Sequence, residues 1–252
     1  HKEMSYRASK NYETDIIAWP ETSVHRWMMQ LPEYRSELYK LAKEEKIYII
    51  FGTPDLTVSD KEYNSVYVIS PEGNILGKYN KSKLIPYWEK AFTQGQVIEP
   101  INTERFIAGI NICSEVFLPE VAALHVKKGA NILFIHSNNG MFGYTLAPYF
   151  SSAFSVFRAV ENNVYVVQIM NNGISQIVSP SGNIPIKSKL FNEEIINYRV
   201  PVVESEGTFY THNGELIYFI ITIISIIYIL YKKCLKIMIL RAFNINKNTG
   251  VR

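Results

Sequence analysis

Phe106-Ile107-Ala108-Gly109-Ile110-Asn111-Ile112-Cys113-Ser114-Glu115 joins a strand-like run to a thiol and a carboxylate. It opens as an apolar, β-prone run and reaches one of only two cysteines in a chain of 252 residues. A thiol at the end of a buried strand, with a carboxylate two residues on, is placed like a nucleophile presented at a sheet edge. A cysteine taken alone is more commonly a small core hydrophobe. Its company shifts that balance. Trp19-Pro20-Glu21 and Tyr79-Asn80-Lys81 supply a carboxylate and an amine at the ends of their own strand-like runs.

Around it, strand-like and helix-like segments alternate from Asp15 to Val203. Asp15–Trp19 reads as a strand, and Tyr34–Lys46 as an amphipathic helix with Leu38, Leu41 and Ala42 on one face. Ile47–Gly52 is a near-continuous apolar run, which suits a strand covered on both faces. Val66–Ile69 and Ile75–Tyr79 flank Ser70-Pro71-Glu72-Gly73-Asn74, a hairpin signal with glycine at the turn. Phe106–Ile112, Ile132–His136, Val164–Met170 and Ile174–Ser179 read as strands, with helices at Glu120–Gly129 and Ala147–Asn162. The turn Ser179-Pro180-Ser181-Gly182-Asn183 echoes the first. Such alternation predicts an α/β layered domain.

A net charge of +3 with scattered basic residues lacks the electrostatic footprint of a nucleic-acid binder. Cys113 and Cys234 make no disulfide framework. His25, His125, His136 and His212 lack metal-ligand spacing, and there is no glycine-rich phosphate loop, so neither metal nor cofactor is expected. The start at His1, without Met or a leader pattern, suggests the C-terminal part of a longer protein.

From Leu216 to Tyr231 the chain carries no charge. These sixteen residues fall a little short of the roughly 20 that cross a bilayer. Snorkelling of Lys232 and Lys233 and the resumption of apolar residues to Leu240 extend the reach. All-round hydrophobicity favours a membrane helix over a buried core element. The cluster Lys232, Lys233, Lys236 and Arg241 then places the tail in the cytoplasm and the preceding domain outside it. Cys234 sits beside the membrane, the setting of S-palmitoylation, although an idle thiol is the plainer reading. The expected organisation is a domain over 1–207, a transmembrane segment with flanks over 208–240, and a short basic tail over 241–252.

A thiol attacks acyl carbon as thiolate, so Cys113 needs a base in reach and a cation to hold developing charge. Glu21 can act as the base, in an apolar setting that raises its affinity for protons. Lys81 can hold the oxyanion. Taken singly, a Glu after Pro usually starts a helix and a Lys at a strand end is usually solvated.

Together, in this order, they resemble the Glu-Lys-Cys triad of the nitrilase superfamily, and most nearly its integral-membrane branch, the apolipoprotein N-acyltransferases. The resemblance runs from Trp19-Pro20-Glu21-Thr22 through Tyr79-Asn80-Lys81-Ser82-Lys83-Leu84-Ile85-Pro86 to Cys113-Ser114-Glu115. It continues through Ser137-Asn138-Asn139-Gly140-Met141-Phe142-Gly143, Arg158–Asn162, Asn171–Ser175 and Gly207-Thr208-Phe209-Tyr210-Thr211. It implies an αββα sandwich followed by a single C-terminal transmembrane helix. It also implies Glu21 as base, Lys81 as oxyanion holder in preference to Lys83, and Cys113 as nucleophile. Glu89, Glu115 and Asn138 are the supporting residues it implies, Glu115 as an orienting partner.

Some positions depart from the family's pattern. Pro86-Tyr87-Trp88-Glu89 stands for the usual Pro-Phe-Gly-Glu, and Cys113-Ser114-Glu115 for Cys-Tyr-Glu. Ser137–Gly143 departs more softly, and the family's N-terminal membrane helices and first catalytic strand have no counterpart here. Aromatic residues from Tyr87 to Phe92 suggest a loop that dips into lipid or gates the pocket.

The implied activity is transfer of a fatty acyl chain from a phospholipid to the amino terminus of a diacylglyceryl-cysteine lipoprotein. It would pass through a thioester, without cofactor, in a monomer of the bacterial inner membrane with its catalytic domain extracytoplasmic. The alternatives are a membrane-anchored amidase acting on a small C–N substrate, and a catalytically silent membrane-bound interaction module.

Overall fold

The computed structural model describes residues 1–25, 28–57 and 59–248; the last four residues of the expected basic tail lie outside them. Two units emerge, His1–Thr211 and His212–Arg252.

The first unit is built on two sheets. One has the order β1-β2-β3-β4, from β1 (Ile16–Ala18), β2 (Tyr48–Leu56), β3 (Glu62–Ile69) and β4 (Ile75–Asn80). The other has the order β10-β9-β8-β7-β6-β5. Its strands are β5 (Ile101–Asn102), β6 (Ile107–Ile112), β7 (Ile132–Asn138), β8 (Tyr165–Asn171), β9 (Gln176–Val178) and β10 (Ile186–Lys187). Helices α1 (Lys2–Asn11) and α2 (Pro32–Glu45) belong with the first sheet, and α3 (Pro119–Lys127) and α4 (Ala147–Asn162) with the second.

The period-2 alternation of each strand sorts its residues into separate apolar clusters. Ile49 and Phe51 of β2 pack with Ala8, Leu38, Leu41 and Ala42 of α1 and α2. Their neighbours Tyr48 and Ile50 turn the other way and meet Ile110, Ile112 and Phe134 of the second sheet. Leu133 and Ile135 of β7 pack with Ala122, Val126 and Ala159 of α3 and α4. Three clusters between four layers make the expected αββα sandwich. Burying a side chain such as Ile50, Ile110 or Phe134 stabilises it by about 1.5–3 kcal/mol.

Parallel pairing of β6, β7 and β8 requires crossovers, which α3 and α4 supply. It also brings the C-terminal ends of β6 and β7 side by side, with Ile112 opposite His136. Antiparallel β3 and β4 pair Ser65 with Asn80, so the chain leaves β4 at the same height as Asn64.

Helix α5 runs over Phe209–Asn248 with a break from helical geometry at Asn213, and from His212 onward it belongs to the second unit. Within it Leu216–Ile239 spans 24 residues, none buried, and is long and apolar enough to cross a membrane. At 1.5 Å per residue that length is about 36 Å, against a hydrocarbon core of about 30 Å.

Candidate functional site

Cys113 follows β6 directly and opens a 3-10 turn, Cys113–Phe117, before Pro119 starts α3. Its φ is +52°, in the left-handed region that a non-glycine residue enters at a cost of about 1–2 kcal/mol. The sharp strand-to-turn elbow lifts the thiol out of the sheet and leaves it partly exposed.

Glu115 holds that elbow. Fully buried, it accepts from Ile112 N at 2.8 Å with Oε2. Its Oε1 accepts from Tyr79 Oη, Ser82 N, Ser82 Oγ and Lys83 N at 2.8 to 3.0 Å. One carboxylate thus ties the end of β6 to the end of β4. Burial raises its pKa, and these donors oppose the shift.

Glu21 follows β1 and is 6% exposed. Its position depends on Gly52 of β2, where a Cβ would come within 2.6 Å of Glu21 Cα and 2.8 Å of the Pro20 carbonyl oxygen. From the other side, His136 Nδ1 lies 2.8 Å from the Trp19 carbonyl oxygen, which makes that nitrogen the donor. Asn64 Nδ2 donates to Glu21 Oε1 at 2.7 Å, and Asn138 N donates to Oε2 at 2.8 Å. Asn138 also reaches Thr22 Oγ1 at 3.2 Å and accepts from Gly140 N at 3.1 Å. Burial raises the Glu21 pKa against the pull of Asn64, Lys81 and the Asn138 amide.

Lys81 leaves β4 and is 0% exposed. Its backbone donates to Asn64 O and accepts from Gly95 N, both at 2.8 Å. Nζ meets Glu89 Oε1 at 2.8 Å and Oε2 at 2.9 Å, and Glu89 also accepts from Ile85 N at 2.7 Å. Burial works against the ammonium. Negative charge at Cys113, Glu89 and Glu21 outweighs it, and the pKa stands above the ordinary value. Lys83, two residues on, is exposed.

Glu21, Lys81 and Cys113 therefore lie within electrostatic reach of one another. Burial and then the Glu21 charge push the Cys113 thiol up to about 11, while Lys81 and the Ser137 hydroxyl pull the other way. At pH 7 a thiol of that kind is ionised about one part in ten thousand. Asn64, Ser137 and Tyr79 join the expected residues here. Asn64 had a signal: an Asn inside the strand Glu62–Ile69 is disfavoured there, and once buried it needs a polar partner.

Tyr87 and Trp88, between Lys81 and Glu89, are 82% and 75% exposed. A cavity of about 700 Å³ lies elsewhere, lined by Tyr12–Ile16, Phe134, Val167–Ile169 and Tyr198–Val200, and by none of Glu21, Lys81 or Cys113. Among the described residues no cluster of His, Cys, Asp and Glu could hold a metal.

Residues 1–208 match the model of the carbon–nitrogen hydrolase family. The chain is 30% identical over 237 residues to the apolipoprotein N-acyltransferase of Geobacter metallireducens, covering 86% of this chain and 45% of that protein. It spans slightly less than half the length of the curated relatives it matches. Among solved structures it resembles a carbon–nitrogen hydrolase from Helicobacter pylori, with a TM-score of 0.67 at 21% identity over 77% of this chain and 78% of that one. It likewise resembles an amidase from Nesterenkonia sp., with a TM-score of 0.63 at 20% identity over 75% and 78%. The matched family residues take in both sheets and the strand ends carrying Glu21, Lys81 and Cys113. The chain belongs to the carbon–nitrogen hydrolase family, in the nitrilase superfamily, and its curated relatives there are apolipoprotein N-acyltransferases.

Proposed function

We propose that this chain is the catalytic part of a membrane-bound acyltransferase that moves a fatty acyl chain from a phospholipid to the terminal amine of a diacylglyceryl-cysteine lipoprotein. The observation that carries it is the meeting of a buried carboxylate, a buried ammonium and a partly exposed thiol at neighbouring strand ends. Relatives named apolipoprotein N-acyltransferase, matching over 86% of the chain, support the choice of reaction.

In this reading Glu21 takes the Cys113 proton as the sulfur attacks the ester carbonyl carbon of the donor. Lys81 holds the oxyanion of the tetrahedral intermediate, and Glu89 aims Lys81. Collapse breaks the ester C–O bond. Glu21 returns its proton to the departing lysophospholipid oxygen, leaving a Cys113 thioester. The lipoprotein amine then attacks the thioester carbonyl, loses a proton through Glu21, and the thiol is restored with an amide formed. Two half-reactions share one site and need no cofactor. The domain would lie on the extracytoplasmic face of the membrane, over residues 1–207, with Leu216–Ile239 crossing the bilayer and the lysines after Tyr231 toward the cytoplasm.

A second reading is hydrolysis of a small amide, favoured by the solved amidase of the same fold. Only the second nucleophile differs. With the full protein in phospholipid vesicles and a diacylglyceryl-cysteine peptide, the expected product is an N-acylated peptide together with lysophospholipid. Ammonia release from small amides, with no peptide acylation, would overturn transfer in favour of hydrolysis.

A further inference from the structure

Ser137 lies near the end of β7, beside the nucleophile. In the parallel register of β6 and β7, Ile112 stands opposite His136, so the next residues along, Cys113 and Ser137, occupy adjacent strand ends. Adjacent strands run about 4.8 Å apart, within reach of a serine side chain. The Ser137 hydroxyl is hydrogen-bonded to the Cys113 sulfur, and the serine is 2% exposed. Leu133 and Ile135, on the same face of β7, are apolar and fully buried. A hydroxyl in that company must find polar partners.

It has two acceptors and one proton. Besides the sulfur, its oxygen lies 3.2 Å from Asn139 Oδ1, which is long for a bond between two oxygens. Asn139 is itself fixed. Its backbone N–H donates to the Asn171 carbonyl at 2.9 Å, and a Cβ on Gly173 would come within 2.8 Å of its Nδ2. Asn139 therefore holds the serine proton loosely, and the proton turns to whichever neighbour carries more charge.

Lys81, the cation that faces the sulfur, is committed elsewhere. Two of its three N–H bonds go to the Glu89 oxygens, which leaves one for an oxyanion. Glu21 after β1 and Glu89 after β4 both add negative charge that opposes a thiolate. A sulfur gaining charge in this setting needs a donor of its own.

We propose that Ser137 is a further catalytic residue, whose hydroxyl donates to the Cys113 sulfur while that sulfur is charged and to Asn139 Oδ1 while it is neutral. The demand arises twice in the proposed reaction. It comes first as the thiol proton leaves for Glu21 and the S–C bond forms. It returns as the amine adds to the thioester carbonyl and the S–C bond breaks, releasing thiolate. The serine proton stays on its own oxygen throughout. This role rests on the reading of Cys113 as the nucleophile.

The test follows alkylation of the full chain by iodoacetamide at fixed pH, with Cys113 and Cys234 read as separate peptides by mass. Cys234 is exposed and serves as the internal reference in every variant. Ser137→Ala should slow Cys113 about 3- to 10-fold and leave Cys234 unchanged. Losing a hydrogen bond to a charged group lowers the thiolate fraction by more than the accompanying rise in nucleophilicity restores. Asn139→Leu frees the serine proton and should speed Cys113 about two- to threefold. The double variant Ser137→Ala/Asn139→Leu should return to the slow rate. A Cys113 rate unchanged or raised in Ser137→Ala would overturn the role, and so would a fast double variant. The expected pattern in a protein that takes no acyl group from phospholipid vesicles would support the role and overturn acyl transfer alone.

Discussion

Lys81 Nζ sits between the two carboxylate oxygens of Glu89, at 2.8 and 2.9 Å, with no solvent access of its own. A buried ammonium held by a carboxylate fork cannot swing toward solvent, so its charge has a fixed direction. At neutral pH the cost of burying Lys81 is offset by two nearby carboxylates, Glu89 and Glu21, rather than one.

Replacing Lys81 should therefore be far more damaging than replacing Lys83, although the two share a short stretch of sequence. Lys81→Met is expected to lower kcat by about 10²–10³, the usual effect of losing an oxyanion donor. Lys83→Ala removes an exposed side chain and keeps the backbone N–H that Glu115 uses, so its kcat should stay within about twofold. Glu89→Gln should lower kcat as well and destabilise the fold by about 1–3 kcal/mol, read as a fall in thermal midpoint.

Glu21 must be ionised to accept the thiol proton, and its pKa is raised by burial. The acid limb of the kcat/KM profile should accordingly lie above 4.5, with activity lost as pH falls through the raised value. Asn64→Leu removes a hydrogen bond that favours the carboxylate and should move that limb to still higher pH. Glu21→Gln should lower kcat by about 10²–10⁴ and remove the limb altogether.

Glu115→Ala leaves the buried amides of Ile112, Ser82 and Lys83 without their acceptor. A loss of about 3–5 kcal/mol is expected, visible in chemical denaturation. Because it joins β4 to β6, the variant should also lower kcat more than it raises KM.

Buried His136 has its pKa lowered to about 4 by burial, from 6.5. Its unfolded form takes up a proton first, so stability falls as pH drops from about 6.5 to 4, by about 3 kcal/mol when the window is fully crossed. Glu21 and Glu115, with raised pKa values, act in the opposite sense above 4.5. His136→Asn should flatten the acid side of a thermal-midpoint profile, at the cost of the Trp19 contact.

Much of the fold is legible in the sequence. Apolar runs such as Ile47–Gly52 and Phe106–Ile112 mark buried strands because both faces are covered. The helix expected over Tyr34–Lys46 is α2, Pro32–Glu45, and the hairpin around Gly73 joins β3 to β4. Helix α1 gives no apolar signal, because Lys2–Asn11 is mostly polar and buries only Ser5 and Ala8. Strand β2 continues beyond Gly52 to Leu56 through Pro54, a residue that argues against a strand when read locally. The aromatic face of α4 also hid, since in a sequence its phenylalanines look like core. Only burial shows that the serines point inward. That Glu21, Lys81 and Cys113 come together is legible from resemblance and order. Asn64 is held to Glu21, and Tyr79 to Glu115, by contacts between distant segments; the Asn inside a strand is a local signal, whereas the partner of Tyr79 is encoded by no local pattern.

The central claim is that Cys113 takes an acyl group from a phospholipid. It is tested most directly by incubating the full protein with vesicles of defined acyl composition and weighing the peptide that contains Cys113. The expected result is a mass increase of one acyl chain on that peptide, removed by hydroxylamine and lost on adding an acceptor amine. An unmodified Cys113 peptide in a folded protein, or an adduct unaffected by hydroxylamine, would contradict it.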